Sequence, residues 1–277
     1  MTARDAADRD GAPIAVILGS AFNGPPQGVE LERIEIETRW GGYALHKVRG
    51  CQRPRYISFR HGLPHRLLPN QIPYRAQAAA LAAVGCRALL VTSSAGVLRA
   101  DLPLFEPLLV RDLLMLDNRL PDGSACTMFT HPSREQGHLI VDEGLCSPAL
   151  GRQLRDIAQR LDAPIAAEVV FGYVGGPRIK TTVENRLWCG FGADVDAMTL
   201  APEIVLANEL EIPCAGLVVG HKYSLPGANA APGDVDESLQ RSHAAHARIV
   251  VEFLRSAEPV TFGNRLYRYE RDAAHGG

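Results

Sequence analysis

Short, continuous apolar runs separated by helical patterns are the feature that most constrains the fold of this chain. Ile14 to Gly19 reads IAVILG and Cys214 to Gly220 reads CAGLVVG, with no polar residue in either run. Strands of this kind are buried on both faces, as in a parallel sheet covered by helices. Arg55–Phe59, Ala88–Thr92 and Ala167–Tyr173 read as further strands. The sequence therefore predicts an α/β fold, a single domain with a central mixed β-sheet flanked by helices.

The helical segments between these strands have recognisable ends. An Ala-rich stretch from Ile72 to Val84 is followed by Gly85, a residue typical of the position just after a helix. Ser147 and Pro148 suit the N-cap and first position of a second helix. A short helix is predicted from Pro202 to Leu210.

The last predicted helix has one apolar stripe, formed by Leu239, His243, His246, Val250 and Phe253. We expect its two histidines to be packed or hydrogen-bonded in the core, since that is the usual environment of histidine on an apolar face. The irregular stretch 117–144 shows little periodicity, which is typical of a functional loop.

Length, charge and cysteine pattern exclude several classes of protein. The 277 residues carry a net charge of −2, with no basic run for nucleic acid and no apolar run near the ~18 residues of a membrane span. We expect a disordered tail at 1–13, one domain at 14–256 and a C-terminal extension at 257–277. The polar start lacks a signal sequence, so we expect a cytoplasmic protein. Six scattered cysteines predict free thiols and no metal site.

Polar residues follow three of the predicted strands. Gly19-Ser20 comes after the first strand, Arg60-His61-Gly62 after the strand at 55–59, and Thr92 to Gly96 (TSSAG) after the next. Ligands of α/β proteins bind beyond the carboxyl ends of such strands. Each segment alone is as easily a turn or a surface ion pair. Together, hydroxyls and a guanidinium fork predict a phosphate site without a glycine-rich phosphate loop.

Two longer motifs carry a specific resemblance. The first contains Arg60-His61-Gly62, His65, Pro69, Tyr74-Arg75-Ala76 and Thr92 to Gly96; the second runs from Gly176-Pro177-Arg178 through Glu184, Gly192-Ala193-Asp194 and Met198-Thr199 to Pro202-Glu203. In this order the motifs resemble the trimeric purine nucleoside phosphorylases, and within them the methylthioadenosine phosphorylases. The resemblance implies a homotrimeric pentosyltransferase that needs no cofactor. With inorganic phosphate it would cleave a purine or purine-like nucleoside to free base and pentose-1-phosphate.

The resemblance also implies roles for individual residues. The positions that hold phosphate in the family are matched by Ser20, Arg60, His61, Ser93 and Thr199. Met198 matches the residue under the ribose, and Ser94 is a further candidate for substrate binding. His138 matches a histidine that a neighbouring subunit contributes to the 5′ pocket. Val235 matches an apolar residue of the methylthioadenosine branch, which implies a 5′-deoxy or 5′-thioether substrate.

The base-binding end departs from the family pattern. Ile179 stands where the family stacks a Phe on the base. The Asp or Asn that serves purine N7 is matched by Lys222, or by His221 if the register shifts by one, and a second Asp is matched by Ser224. Lysine can only donate, whereas histidine can donate, accept or act as a general acid. His221 and Lys222 are therefore the catalytic candidates, and the base is left unidentified.

Three functions remain open at this point. The favoured one is a phosphorylase, in which phosphate attacks C1′ and no covalent enzyme intermediate forms. A nucleosidase, in which water replaces phosphate, is disfavoured by the retention of Arg60. A non-catalytic sensor of nucleoside or phosphate is suggested by the altered base end, because a fold does not guarantee a function.

Overall fold

The computed structural model describes residues 11–225 and 235–268, apart from the side chains at 235, 236, 238 and 239. In these ranges the strands are β1 (Ile14–Leu18), β2 (Leu31–Thr38), β3 (Gly41–Val48), β4 (Arg55–Phe59), β5 (Ala88–Val97), β6 (Pro107–Leu114), β7 (His138–Ile140), β8 (Ala167–Tyr173), β9 (Val195–Ala197), β10 (Cys214–Tyr223) and β11 (Arg265–Tyr267). The helices are α1 (Tyr74–Ala83), α2 (Pro148–Arg160), α3 (Thr182–Gly190), α4 (Ala201–Glu209) and α5 (Val235–Ser256).

Nine of these strands form one mixed sheet that closes partly on itself. Strand β5 pairs with β1 and β10 in parallel and with β9 in the antiparallel sense. Pairings from β10 through β6 and β8 return to β9, so five strands make a closed ring. The remaining strands extend outward from β1 through β4 to the antiparallel hairpin β3–β2. The predicted mixed α/β sheet is confirmed, and its strand ends converge around β5.

Helices cover both faces of the sheet, as the apolar runs require. All five residues of β1 are buried. Ile14, Val16 and Leu18 pack with α2 and α5, whereas Ala15 and Ile17 pack with α1 and α4 on the other face. Because neighbouring side chains of a strand point to opposite faces, a strand between two helical layers has to be apolar throughout.

The predicted elements are found close to their expected bounds. The first helix spans Tyr74–Ala83, and Gly85 after it has a φ of +74°. Ser147 and Pro148 begin α2 as expected, although the Ser147 side chain makes no capping hydrogen bond. The predicted strands at 88–92 and 214–220 are longer, because β5 and β10 stay paired as far as Val97 and Tyr223. The polar residues expected after these strands therefore lie within them.

Some elements were not predicted from the sequence. The β2–β3 hairpin is one, although β2 (LERIEIET) partly alternates between exposed and half-buried residues. Strand β7 lies in the loop predicted at 117–144 and pairs with β11. That pairing attaches the described part of the expected C-terminal extension to the domain, and Ala257 is buried in the core. Most of the expected N-terminal tail lies outside the described residues.

The cysteines are free thiols, as predicted, and the described helices differ from membrane spans in length or apolar character. All six cysteines are free, and four of them are buried. In the described ranges, no helix combines the length and the apolar character that crossing a bilayer requires.

The histidines of α5 are packed, as predicted. His243 meets the ring of Phe22 edge-on with centroids 4.8 Å apart. His246 is buried, and its burial lowers its pKa from 6.5 to about 4. The side chain of Leu239, on the same predicted stripe, lies outside the described part.

The pKa of His246 predicts an acid-sensitive fold. Between pH 6.5 and 4 the unfolded chain takes up a proton that folded His246 does not. The free energy of unfolding should therefore decrease as the pH falls through this window. Urea unfolding of the wild type and of His246→Leu checks this, and the variant should show a shallower pH dependence. Equal slopes for the two proteins would contradict the assignment.

Candidate active site

A cavity of about 280 Å³ lies where the predicted site segments meet. Strands β1, β4 and β10 all run parallel to β5 or its neighbour, so their carboxyl ends share one edge of the sheet. The cavity is lined by Ser20, His61, His65, Pro69, Ser93, Ser94, Gly96, Ile179, Lys180, Asp196, Ala197, Met198, Thr199, His221, Lys222 and Ser224. Most site residues expected from the sequence are in this set.

Arg60 lies behind this lining rather than in it. Its side chain is buried, and its Nε–H and Nη2–H groups donate to the two carboxylate oxygens of Glu203 at 2.7 and 2.6 Å. Nη1–H donates to the carbonyl oxygen of Thr92 at 2.8 Å. The bidentate fork expected for phosphate is thus engaged by a protein carboxylate. Gly19 permits this arrangement, because a Cβ there would lie 2.8 Å from Nη1.

Glu203 belongs to the second motif, and the sequence did not predict its partner. Its Oε2 also accepts a hydrogen bond from the backbone N–H of Leu200 at 2.8 Å. Leu200 has a φ of +72°, in the left-handed region that a leucine rarely adopts. The carboxylate therefore fixes the turn between β9 and α4, where Met198 and Thr199 enter the cavity. In the sequence, a Glu near the start of a helix indicates a capping role. It gives no sign of the ion pair with Arg60, because Arg60 is 143 residues away.

One end of the cavity is rich in hydroxyls. Ser20 follows β1, Ser93 lies in β5, and Thr199 precedes α4. The β1–β5 pairing ends at Ile17 and Val91, so Ser93 lies beyond the end of β1. Three hydroxyls and nearby backbone N–H groups from different elements can surround one tetrahedral anion.

His61 adds an acceptor to the hydroxyl end. Its Nδ1 lies 2.8 Å from the Leu67 carbonyl oxygen, so Nδ1 carries the hydrogen and donates it. Burial first, and then the Arg60 charge, lower the pKa of His61 to about 4. The neutral ring, which stacks on His65 with centroids 4.4 Å apart, therefore keeps Nε2 as an acceptor. An acceptor of this kind suits the O–H of a hydrogen phosphate.

The other end of the cavity carries the residues expected at the sugar and base. Ile179 is 70% exposed in the isolated chain and lies at the mouth. The Oγ of Ser94 is buried without a hydrogen-bond partner in the described part of the chain. Burial, and then the charges of Lys222 and Lys180, lower the pKa of His221 to about 4. Burial also lowers the pKa of Lys222.

Two residues at this end were not predicted from the sequence. Lys180 Nζ lies 2.6 Å from Asp196 Oδ1, and the side chains are 12% and 0% exposed. Lys180 follows Ile179 in the loop before α3, and Asp196 is the middle residue of β9. Sixteen residues separate the two, and only the pairing of β9 with β5 brings the carboxylate to the cavity.

Besides Arg60, two expected residues are not in the lining. His138 begins β7 on the exposed surface, opposite Tyr267 of β11. This position is compatible with a contribution to a neighbouring subunit's site, as the resemblance implied, but not to the cavity of its own chain. Val235 begins α5, and its side chain lies outside the described part.

Comparison with known sequences extends the resemblance seen in the motifs. Residues 13–255 match the family model described as the phosphorylase superfamily. This chain belongs to that superfamily. It is 31% identical over 200 residues to S-methyl-5′-thioadenosine phosphorylase of Thermofilum pendens, covering 71% of this chain and 73% of the relative. A probable S-methyl-5′-thioinosine phosphorylase of Methanopyrus kandleri is 31% identical over 214 residues, 76% of this chain and 78% of the relative.

A third relative widens the range of substrates among the named proteins. The probable 6-oxopurine nucleoside phosphorylase of Moorella thermoacetica is 30% identical over 231 residues, 82% of this chain and 85% of its own. The named relatives are nucleoside phosphorylases, which are pentosyltransferases. The prediction of this enzyme class is therefore confirmed at the level of the family.

Solved structures confirm the fold. Methylthioadenosine phosphorylase from Schistosoma mansoni in complex with adenine superposes with a TM-score of 0.78 at 21% identity, covering 88% of this chain and 91% of the other. A methylthioadenosine phosphorylase from an Antarctic soil metagenomic library also gives 0.78, at 23% identity and with coverage of 91% and 90%.

The pairing of Arg60 with Glu203 predicts a large effect of removing one partner. Glu203→Gln should lower the free energy of unfolding by about 3–5 kcal/mol, because it leaves a buried guanidinium without its carboxylate. Arg60→Met combined with Glu203→Leu should destabilise the protein less than the sum of the two single changes. Urea unfolding of the wild type, Arg60→Met, Glu203→Leu and the double variant measures this coupling, and additive effects would contradict it.

Proposed function

We propose that the protein catalyses phosphorolysis of a purine or purine-like nucleoside, releasing the free base and a pentose-1-phosphate. The observation that carries the proposal is one cavity that combines a hydroxyl-rich anion end with a donor-rich base end, in a chain of this superfamily. The site needs no cofactor in this reaction, since inorganic phosphate is the second substrate.

Phosphate is proposed to bind at the hydroxyl end. Ser20, Ser93 and Thr199 donate hydrogen bonds to its oxygens, and neutral His61 accepts one from its O–H. Arg60 is proposed to act from behind, because its guanidinium supports the Thr92 carbonyl and the segment that carries Ser93. Phosphate held in this way attacks C1′, so that positioning and hydrogen bonding lower the barrier.

The leaving base is proposed to be stabilised by Lys222 rather than by His221. With a pKa of about 4, His221 is neutral near pH 7 and is a weak source of protons. Lys222 lines the same end, and its ammonium group can stabilise the negative charge that develops on the departing base. Met198 is proposed to lie under the ribose and Ile179 over the base, with Ser94 and Ser224 as further polar contacts. Val235 supports a 5′-deoxy or 5′-methylthio substituent.

The hydroxyl end predicts a specific phosphate defect. Thr199→Val keeps the shape of the side chain but removes a hydrogen bond to a charged ligand, so the KM for phosphate should rise about tenfold or more. Initial rates of base release at saturating nucleoside and varied phosphate measure this. Thr130→Val, at an exposed site outside the cavity, is the matched control. Base release at an equal rate without phosphate would contradict the proposal and identify a nucleosidase, whereas binding without turnover would identify a sensor.

A homotrimer is proposed as the assembled state. Val183 and Leu187 on α3 and Phe191 just after it are spaced by four residues and are each at least 52% exposed, as is Ile179 at the cavity mouth. Contiguous apolar surface of this kind marks an interface. His138 is proposed to reach the neighbouring subunit's cavity.

The exposed apolar face of α3 predicts how the assembly can be disrupted. Leu187→Glu should shift the sedimentation coefficient towards that of a monomer, because a charge would be buried at the contact. Gln159→Glu, on the exposed face of α2, introduces the same group and should leave sedimentation unchanged. A wild-type protein that sediments as an active monomer would contradict the proposal.

A further inference from the structure

A charge cluster occupies the base end of the cavity and is formed by Lys180, Asp196 and Lys222. Asp196 is buried, and the two lysines are partly buried. Gly96 of β5 lies between the strands that carry Asp196 and Lys222. In the sheet register Gly96 pairs with Asp196 on β9 and with Lys222 on β10. A Cβ on Gly96 would lie 2.8 Å from Asp196 Oδ1, so glycine leaves the space that the cluster fills. The carboxylate and the second lysine are thus held on opposite sides of one strand.

The cluster carries more positive than negative charge. Lys180 is paired with Asp196 Oδ1 at 2.6 Å, whereas Lys222 has no ion pair within the described ranges. Among the described residues that line the cavity, Asp196 is the only acidic one. His221 adds no charge near pH 7, because its pKa is about 4. Within the described ranges two lysines therefore face one carboxyl group, so a ligand that brings negative charge suits this end.

The cluster also offers a hydrogen-bond acceptor. Asp196 Oδ2 is buried and has no hydrogen-bond partner in the described residues, although a buried carboxylate oxygen normally has one. A ligand that suits this end therefore presents two features. It carries negative charge or carbonyl oxygens toward Lys222, and a ring N–H toward Asp196.

We propose that the base subsite recognises an acidic oxopurine, a base with two ring carbonyls and a ring N–H that ionises readily. This inference rests on the proposed phosphorolysis and names its substrate class. An oxopurine has the carbonyl oxygens and N–H donors that the cluster matches, whereas adenine places an amino donor where lysine also donates. The mismatch of donor against donor disfavours 6-aminopurines.

The same cluster suits the bond-breaking step. The C1′–N bond breaks with its electron pair passing to the base, while a phosphate oxygen forms the new bond to C1′. The base departs as an anion and receives a proton, and the hydrogen phosphate that became the sugar phosphate loses one, so charge and protons balance. Lys222 stabilises the anion until it is protonated.

Binding of free bases tests the inference without requiring turnover. The full-length protein is titrated calorimetrically with xanthine, hypoxanthine and adenine in phosphate buffer at pH 7.5. The Kd for xanthine should be at least tenfold lower than the Kd for hypoxanthine. Hypoxanthine differs from xanthine by one ring carbonyl, so the comparison isolates the acidic, carbonyl-rich edge. Xanthine that binds no more tightly than hypoxanthine or adenine would overturn the inference.

Variants of the cluster test the residues. Lys222→Met should raise the Kd for xanthine at least tenfold while changing the Kd for hypoxanthine less than threefold. Lys222→Arg should keep the preference for xanthine. Lys47→Met, at an exposed site on β3, is the control. Equal weakening of both bases by Lys222→Met would show a structural role for Lys222 and overturn the inference, with circular dichroism checking that the variants fold.

Turnover separates this inference from the proposed function. Phosphate-dependent release of base is followed for xanthosine, inosine and 5′-methylthioadenosine. Efficient cleavage of 5′-methylthioadenosine alone would overturn the acidic-base inference and leave phosphorolysis standing. Tight xanthine binding without release from any of the three nucleosides would support the base subsite and count against phosphorolysis.

Discussion

The buried ion pair between Arg60 and Glu203 is the interaction on which the site depends. It joins the end of β4 to the start of α4, and a third contact of Arg60 reaches the Thr92 carbonyl in β5. Removing two charges from water is expensive, and only a bidentate geometry with further hydrogen bonds offsets that cost. Here both groups obtain those bonds, since Glu203 also accepts from Leu200. The segments that carry Ser93 and Thr199 are thereby held in one place.

The pair also determines how charge is distributed in the cavity. Because Glu203 neutralises Arg60, the hydroxyl end has directed dipoles and a neutral imidazole rather than an unpaired cation. Among the described lining residues, the lysine without an ion pair is Lys222, and it lies at the opposite end. In the proposed reaction an anionic nucleophile and an anionic leaving group face each other across C1′. The hydroxyls can stabilise the phosphate and the lysine can stabilise the departing base, so that each anion has its own partner.

Much of the fold could be read from local patterns, because burial on both faces leaves a clear signature. The apolar run of β1 and the glycine after α1 predicted those elements within two residues. The β2–β3 hairpin and the extensions of β5 and β10 were missed, since their polar residues resemble loops. Those residues remain in strands because the β5–β10 ladder continues to Val97 and Tyr223 and their side chains reach a cavity.

By itself, the sequence determined the alternation of buried strands and helices, and the order of motifs placed the chain in its superfamily. It also placed Ser20, His61 and Ser93 near one sheet edge, because parallel strands bring their carboxyl ends together. The resemblance of the motifs added Thr199. Only the tertiary structure decided that Arg60 would face Glu203 and that Lys180, Asp196 and Lys222 would form one cluster. These contacts join residues from 16 to 143 positions apart. No local periodicity encodes them, since they exist only once the strands have paired around β5.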